Sequence, residues 1–174
     1  MKDNDSPKRL TRRELLARVT AAGASFVVGT TFVAAKDAAW ATELAAIKPV
    51  TFATLVQMAR DIYPHDRLVD EFYVVAVKGY DTEAAAAEIE AGVAALDAAA
   101  RGKGHASYLD TGWERDRVEI LQGMEEGAFF QQIRNGLVTG LYNQKDVWPL
   151  FGYEGESYSK GGYINRGFND INWL

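Results

Sequence analysis

The feature that most constrains the fold is an alanine-rich segment, EAAAAEIEAGVAALDAAARGKG, over residues 83–104. Alanine has the highest intrinsic helix propensity, and Gly102 and Gly104 are typical of a helix C-terminus. Asp81 or Thr82 stands where an N-cap belongs. The segment therefore predicts one long helix.

Two segments before it also have the character of helices. VTFATLVQMARDIYP (50–64) places its apolar residues in one stripe, with Thr51 as the predicted N-cap and Pro64 as the stop. RLVDEFYVVAVKGY (67–80) contains a Tyr-Val-Val core that also suits a strand. Its length and its bracketing polar residues favour a helix.

Two segments after it complete the pattern. In YLDTGWERDRVEIL (108–121), Thr111 and Glu114 form a predicted capping box. EEGAFFQQIRNGLVTGLYNQ (125–144) follows, and its Gly136 and Gly140 lie one turn apart, where a neighbouring helix can approach closely. The chain is therefore expected to be all-α, a small helical bundle over residues 42–144.

Residues 1–41 have the composition of an export signal. Arg12 and Arg13 precede a weakly apolar run over residues 19–35, the pattern of a twin-arginine signal, which exports proteins that are already folded. The run is too short and too polar for a confident membrane-spanning helix, and an A-x-A cleavage site ends at Ala41. The alternatives are an ordinary secretory signal and a retained amphipathic anchor.

Charge and cysteine content exclude several classes of function. Residues 42–174 carry 12 basic and 20 acidic side chains, a net charge of −8, which argues against nucleic acid or anionic lipid as a partner. The chain has no cysteine. Its fold therefore does not depend on disulfides, and it offers no thiolate for iron–sulfur clusters, thioether-linked haem or catalysis.

The C-terminal tail, residues 145–174, lacks helical or strand periodicity and is rich in glycine and aromatic residues. Disordered segments are poor in aromatic residues, so the tail is expected to pack on its own bundle or across a partner. We expect both, with its first part on the bundle and its end on a partner. The predicted partner-binding residues are Trp148, Phe151, Tyr153, Tyr158, Tyr163, Phe168 and Trp173, while Phe129 and Phe130 are expected in the core.

No arrangement of residues predicts a catalytic or metal site in this chain. His65 and His105 are expected in local capping or surface roles, and no spacing matches a set of metal ligands. Glu88 and Glu90 do not share a helix face and are expected to be solvated. Nucleophile-elbow, Walker and dinucleotide-binding motifs are absent from the sequence. We therefore expect no enzyme and no cofactor in this chain.

Four stretches together resemble the gluconate 2-dehydrogenase subunit 3 family. They span about residues 51 to 155 and are TFATLVQMARDIYPHD, GVAALDAAARGKG, GMEEGAFFQQIRNGLVTGLY and WPLFGYEG. The chain departs from the family's pattern in its short NQKD loop, in Glu154 where proline is common, and in a longer tail after Gly155.

This resemblance implies a non-catalytic small (gamma) subunit of an exported sugar, sugar-acid or alcohol dehydrogenase. The large subunit of the glucose–methanol–choline oxidoreductase type would hold FAD, and in many such complexes a c-type cytochrome accepts the electrons. The small subunit would assist folding, FAD uptake and export of the large subunit through the twin-arginine (Tat) translocation machinery. The complex is then expected in the periplasm, in some cases held at the membrane.

Two other functions remain open from the residues. One is a periplasmic enzyme with His65 and Asp66 at its site. The other is a small-ligand binding module, in which the aromatic tail stacks on a sugar.

Overall fold

The computed structural model describes residues 27–28, 31–32, 44–166 and 168. Arg12 and Arg13 of the predicted export signal and Trp173 of the tail lie outside the described residues. The predicted all-α bundle is confirmed. The described residues contain five α-helices, α1 (Pro49–Ile62), α2 (Asp70–Val77), α3 (Glu83–Gly102), α4 (Glu114–Gln122) and α5 (Ala128–Tyr142).

Shorter elements accompany the helices. Three 3-10 helices span Lys78–Tyr80, Trp148–Phe151 and Tyr158–Lys160. Two-residue strands, β1 (Val27–Val28) and β2 (Thr31–Phe32), pair antiparallel with Val27 opposite Phe32.

Helix α1 is the centre of the bundle. It contacts each of the other four helices, and every residue from Thr51 to Ala59 is buried. A helix that is surrounded on all sides must bury its polar side chains as well as its apolar ones, and such side chains need hydrogen-bond partners. Gln57 and Asp61 of α1 are both buried and both have partners.

Helices α2 and α5 run antiparallel and approach closely, as the glycine spacing predicted. A Cβ atom at Gly140 would lie 2.8 Å from the carbonyl oxygen of Ala76. A Cβ atom at Gly136, one turn earlier, would lie 2.0 Å from the hydroxyl of Tyr80. A larger side chain at Gly140 would push the two helices apart, and one at Gly136 would displace the Tyr80 side chain.

Two of the predicted N-caps are wrong. The N-cap of α1 is Lys48, because Pro49 already fits the first helical turn, and Thr51 is buried inside the helix. The N-cap of α4 is Trp113, while the hydroxyl of Thr111 donates to the carbonyl of Ser107. The predicted cap at Thr82 is confirmed by its bond from the amide of Ala85, at 3.3 Å.

Asp81 fixes the segment that leads into α1. Its carboxylate accepts hydrogen bonds from the backbone amides of Ala45, Ala46 and Ile47, at 2.8, 2.9 and 3.1 Å, and pairs with Lys78 at 3.0 Å. Burial alone would raise the pKa of Asp81, but these donors hold it below its usual value. The start of α1 is thus tied to the end of α2.

A second buried carboxylate, Asp61, joins α1 to α4 and to the loop between α3 and α4. Arg117 donates from Nε and one terminal nitrogen to the two carboxylate oxygens, at 2.7 and 3.0 Å. The Tyr108 hydroxyl donates to the same group at 2.6 Å, and Gln57 donates at 3.0 Å. Burial and the charge of Asp61 raise the pKa of Tyr108, which keeps its proton for this bond.

Replacing Arg117 with Met is expected to lower the free energy of unfolding by about 3–5 kcal/mol, because the Asp61 carboxylate would stay buried without its counter-charge. Urea denaturation at pH 7, followed by helical circular dichroism, measures this change.

The control is Lys103→Met, which removes a partner of Glu119 whose side chain is 62% exposed. An exposed pair of this kind contributes at most about 1 kcal/mol. Equal losses for the two variants would contradict a special role for the Asp61–Arg117 pair.

Candidate partner-binding surface

The tail begins where α1 and α5 end, and an aromatic cluster holds it there. His65, three residues after α1, lies with Nε2 at 2.7 Å from the hydroxyl of Tyr142, the last residue of α5. The ring of Phe151 packs edge-on against His65, with centroids 4.9 Å apart. Tyr63 packs edge-on against Tyr142 at 5.6 Å. The tail root is therefore built from three parts of the chain.

Trp148 adds a direct bond between the tail and the bundle. Its indole N–H donates to the carbonyl of Tyr142 at 2.8 Å. The 3-10 helix that starts at Trp148 ends at Gly152, whose φ of 76° is left-handed, and the next amide, of Tyr153, donates back to the Trp148 carbonyl at 2.9 Å. The ring of Tyr153 then packs edge-on against Trp148 at 5.3 Å. The first part of the tail lies on the bundle.

From Tyr153 onward the aromatic side chains become more exposed, and Tyr153 itself is partly covered by its contact with Trp148. Tyr158 is 93% exposed, Phe168 77%, Tyr163 57% and Tyr153 48%. Isolated apolar side chains at a surface are ordinary, but a run of exposed aromatic rings is typical of interfaces. The six described members of the predicted set thus divide into a root, Trp148 and Phe151, and an outer group, Tyr153, Tyr158, Tyr163 and Phe168.

Charged side chains of the tail pair with each other. The carboxylate of Glu154 accepts from Lys160 and Arg166, and Lys145 lies 3.6 Å from Glu156. The surface that the outer group offers is therefore aromatic, with little unpaired charge of its own.

Sequence reasoning missed one strongly exposed ring and misjudged two other residues. Trp113, at the start of α4, is 76% exposed; its position among charged residues, off the apolar stripe, is the signal that could have found it. His65 contacts Tyr142 and Phe151 in the aromatic cluster and does not act as a local cap. Glu90 is not simply solvated, because it accepts from the Lys48 amide at 2.9 Å and the Thr51 hydroxyl at 2.9 Å.

An open hollow of about 300 Å³ lies at the turn between α4 and α5. Met124, Phe129 and Phe130 form its apolar part, and Glu125 and Glu126 form its acidic rim. Phe129 and Phe130 are partly buried against the core. None of the six described partner-binding candidates lines this hollow.

Metal and membrane features were sought in the described part of the chain. There, no group of three or more His, Cys, Asp or Glu side chains is placed to hold a metal ion. No helix among the described residues is long and apolar enough to span a membrane.

No family model, no curated protein and no solved structure matches this chain. A proposal about its function therefore depends on the sequence and on the geometry of the tail.

Acidification is expected to loosen the tail root. Burial lowers the pKa of His65 from its usual 6.5, and in the neutral ring Nε2 can accept the Tyr142 hydroxyl proton. Because the folded state disfavours protonation, the contact is fully present above about pH 6.5 and weakens as the pH falls below it. The indole N–H resonance of Trp148 should change little between pH 7.5 and 6.5, and should broaden or move upfield as the pH falls further below 6.5.

The matched control is His65→Gln, which keeps a polar group beside Tyr142 but does not titrate in this range. Its Trp148 resonance should be independent of pH. If the glutamine variant shows the same pH response as the natural chain, another group is responsible.

Proposed function

We propose that this chain is the non-catalytic small subunit of an exported FAD-dependent sugar, sugar-acid or alcohol dehydrogenase. Its role is to assist the folding, stability and twin-arginine export of the catalytic flavoprotein subunit. FAD belongs to that partner. A c-type cytochrome is the further partner that accepts electrons from the complex.

The observation that carries this proposal is the outer group of exposed rings on a tail whose root is fixed to the bundle. Burying Tyr158 and Phe168 within the chain would stabilise a protein that functioned alone. Each Å² of apolar surface removed from water contributes about 25 cal/mol to the folding free energy, and this contribution is absent while the rings face water. Aromatic side chains are enriched at protein interfaces and account for much of their binding free energy. The tail therefore favours a protein partner.

The N-terminal segment and the family resemblance supply the kind of partner. A twin-arginine signal serves proteins that fold, and take up their cofactor, before export. A flavoprotein without a signal of its own would cross the membrane as a passenger of this chain. The four stretches that resemble subunit 3 of gluconate 2-dehydrogenase favour a flavoprotein of the glucose–methanol–choline type as that passenger.

The proposal is tested by purifying the full chain, tagged after Leu174 through a long linker, from its native host. We expect one large protein to co-purify, to be identified by mass spectrometry as a dehydrogenase, and to show the absorption bands of an oxidised flavin. The small chain alone should be colourless and inactive. Tight FAD binding, sugar oxidation or free-sugar binding by the isolated chain would overturn the proposal.

Export is tested separately by replacing Arg12 and Arg13 with lysine. Both subunits should then accumulate in the cytoplasm, and dehydrogenase activity in the periplasmic fraction should fall to background. A matched variant, Lys8→Arg with Arg9→Lys, leaves the arginine pair intact and should export normally. Periplasmic activity that survives the double lysine variant would contradict the role of this chain as the carrier.

A further inference from the structure

Six of the seven aromatic residues of the tail recur at every fifth position, and Phe151 is the exception. The series is Trp148, Tyr153, Tyr158, Tyr163, Phe168 and Trp173. From the second member onward, each is preceded by a small or turn-forming residue, namely Gly152, Ser157, Gly162, Gly167 and Asn172. We call residues 148–168 of this series the five-residue repeat, since Trp173 lies outside the described residues.

The described part of the repeat contains a turn after three of its rings. The carbonyl of Trp148 accepts from the amide of Tyr153, five residues on, at 2.9 Å. The carbonyls of Tyr158 and Tyr163 accept from the amides of Gly161 and Arg166, three residues on, at 3.3 and 3.5 Å. The turns differ in type, but each of these three rings stands at the start of one.

Glycine permits the two better-formed turns. Gly152 and Gly161 have φ angles of 76° and 84°, in the left-handed region that other residues rarely adopt. An ordinary residue at either position would strain the turn that follows its ring.

The exposed group would supply a large part of a standard interface. An aromatic side chain buries about 150–250 Å² when it is fully covered, and the four rings of the outer group are between 48% and 93% exposed, so together they would bury about 400–700 Å². A stable protein–protein interface buries about 800 Å² on each partner. The outer group would thus form half or more of one side of such an interface.

The charged side chains of the tail indicate the chemistry of a partner surface that would fit it. Glu154, Lys160 and Arg166 satisfy each other inside the tail, and the Lys145–Glu156 pair does the same nearer the root. A partner that was recognised by charge would have to break these pairs. A surface with apolar pockets and little net charge could bind the rings without breaking these pairs.

We propose that the five-residue repeat binds one protein surface ring by ring, and that this surface is a row of apolar pockets on the flavoprotein subunit. The proposal rests on the proposed function for the identity of the partner. It adds that the spacing of the rings, and not only their number, determines the affinity.

The test uses the full chain and the flavoprotein that co-purifies with it, titrated after separation of the two. Tyr158→Ala with Tyr163→Ala removes two rings of the repeat and should weaken binding at least about tenfold, as for interface hot spots. Inserting one serine between Gly155 and Glu156, outside the turns at Gly152 and Gly161, keeps every ring but shifts the later ones by one residue, and should weaken binding to a similar extent.

Ile164→Ala is the matched control. Ile164 is 84% exposed and lies beside Tyr163, but it is outside the series, so its loss should change the affinity less than about twofold. Raising the salt concentration to 0.5 M should also change the affinity of the natural chain less than about twofold, since little unpaired charge is involved. Helical circular dichroism should be unchanged in all variants.

The outcomes separate this proposal from the proposed function. If the natural chain binds the flavoprotein but the double alanine or the insertion variant binds equally well, the repeat proposal is overturned and the proposed function stands. If Ile164→Ala weakens binding as much as the double variant, ring spacing is likewise overturned. If the natural chain recovers no flavoprotein, and associates with a second copy or a free sugar instead, both proposals fail.

Discussion

The buried carboxylate of Asp61 is the interaction on which the helix packing depends. It lies on the central helix α1, and it takes hydrogen bonds from Arg117 of α4, from Tyr108 in the loop after α3, and from Gln57 on α1 itself. Buried charges are tolerated when every acceptor is satisfied, and such a network fits only one arrangement of its donors. Apolar contacts supply most of the packing free energy, while the hydrogen bonds of Asp61 join α4 and the loop before it to α1.

The local sequence pattern was sufficient to predict the helices but not the contacts between them. Alanine content and apolar spacing predicted α3 and α5, because both signals act within a few residues. The cap at Thr51 was predicted wrongly because its hydroxyl donates to Glu90, 39 residues away. The Asp61–Arg117 pair spans 56 residues, and the contact between His65 and Tyr142 spans 77. Contacts at these separations are determined by the tertiary fold and cannot be predicted from local patterns in a single sequence.

The tail illustrates the same division. Its composition predicted a segment that packs on something, and the root at Trp148 does so through a hydrogen bond to α5. Composition alone did not separate the root from the outer group, because Phe151 and Tyr158 are chemically alike. What separates them is position. Phe151 lies within reach of His65 at the end of α1, and Tyr158 lies beyond the left-handed turn at Gly152, where the chain has left the helices.

The segment that leads into the bundle and the tail that follows it lie at opposite ends of α1. The segment at Ala45–Ile47 enters beside Asp81, before the first turn of α1, whereas the tail departs beside His65, after its last turn. Helix α1 has 14 residues, so roughly 20 Å separates the two points at 1.5 Å per residue. Under the proposed function, the flavoprotein would bind at the end of α1 where the tail departs, and the export signal would precede the segment at the other end. Binding at one end would then leave the other end accessible to the translocation machinery.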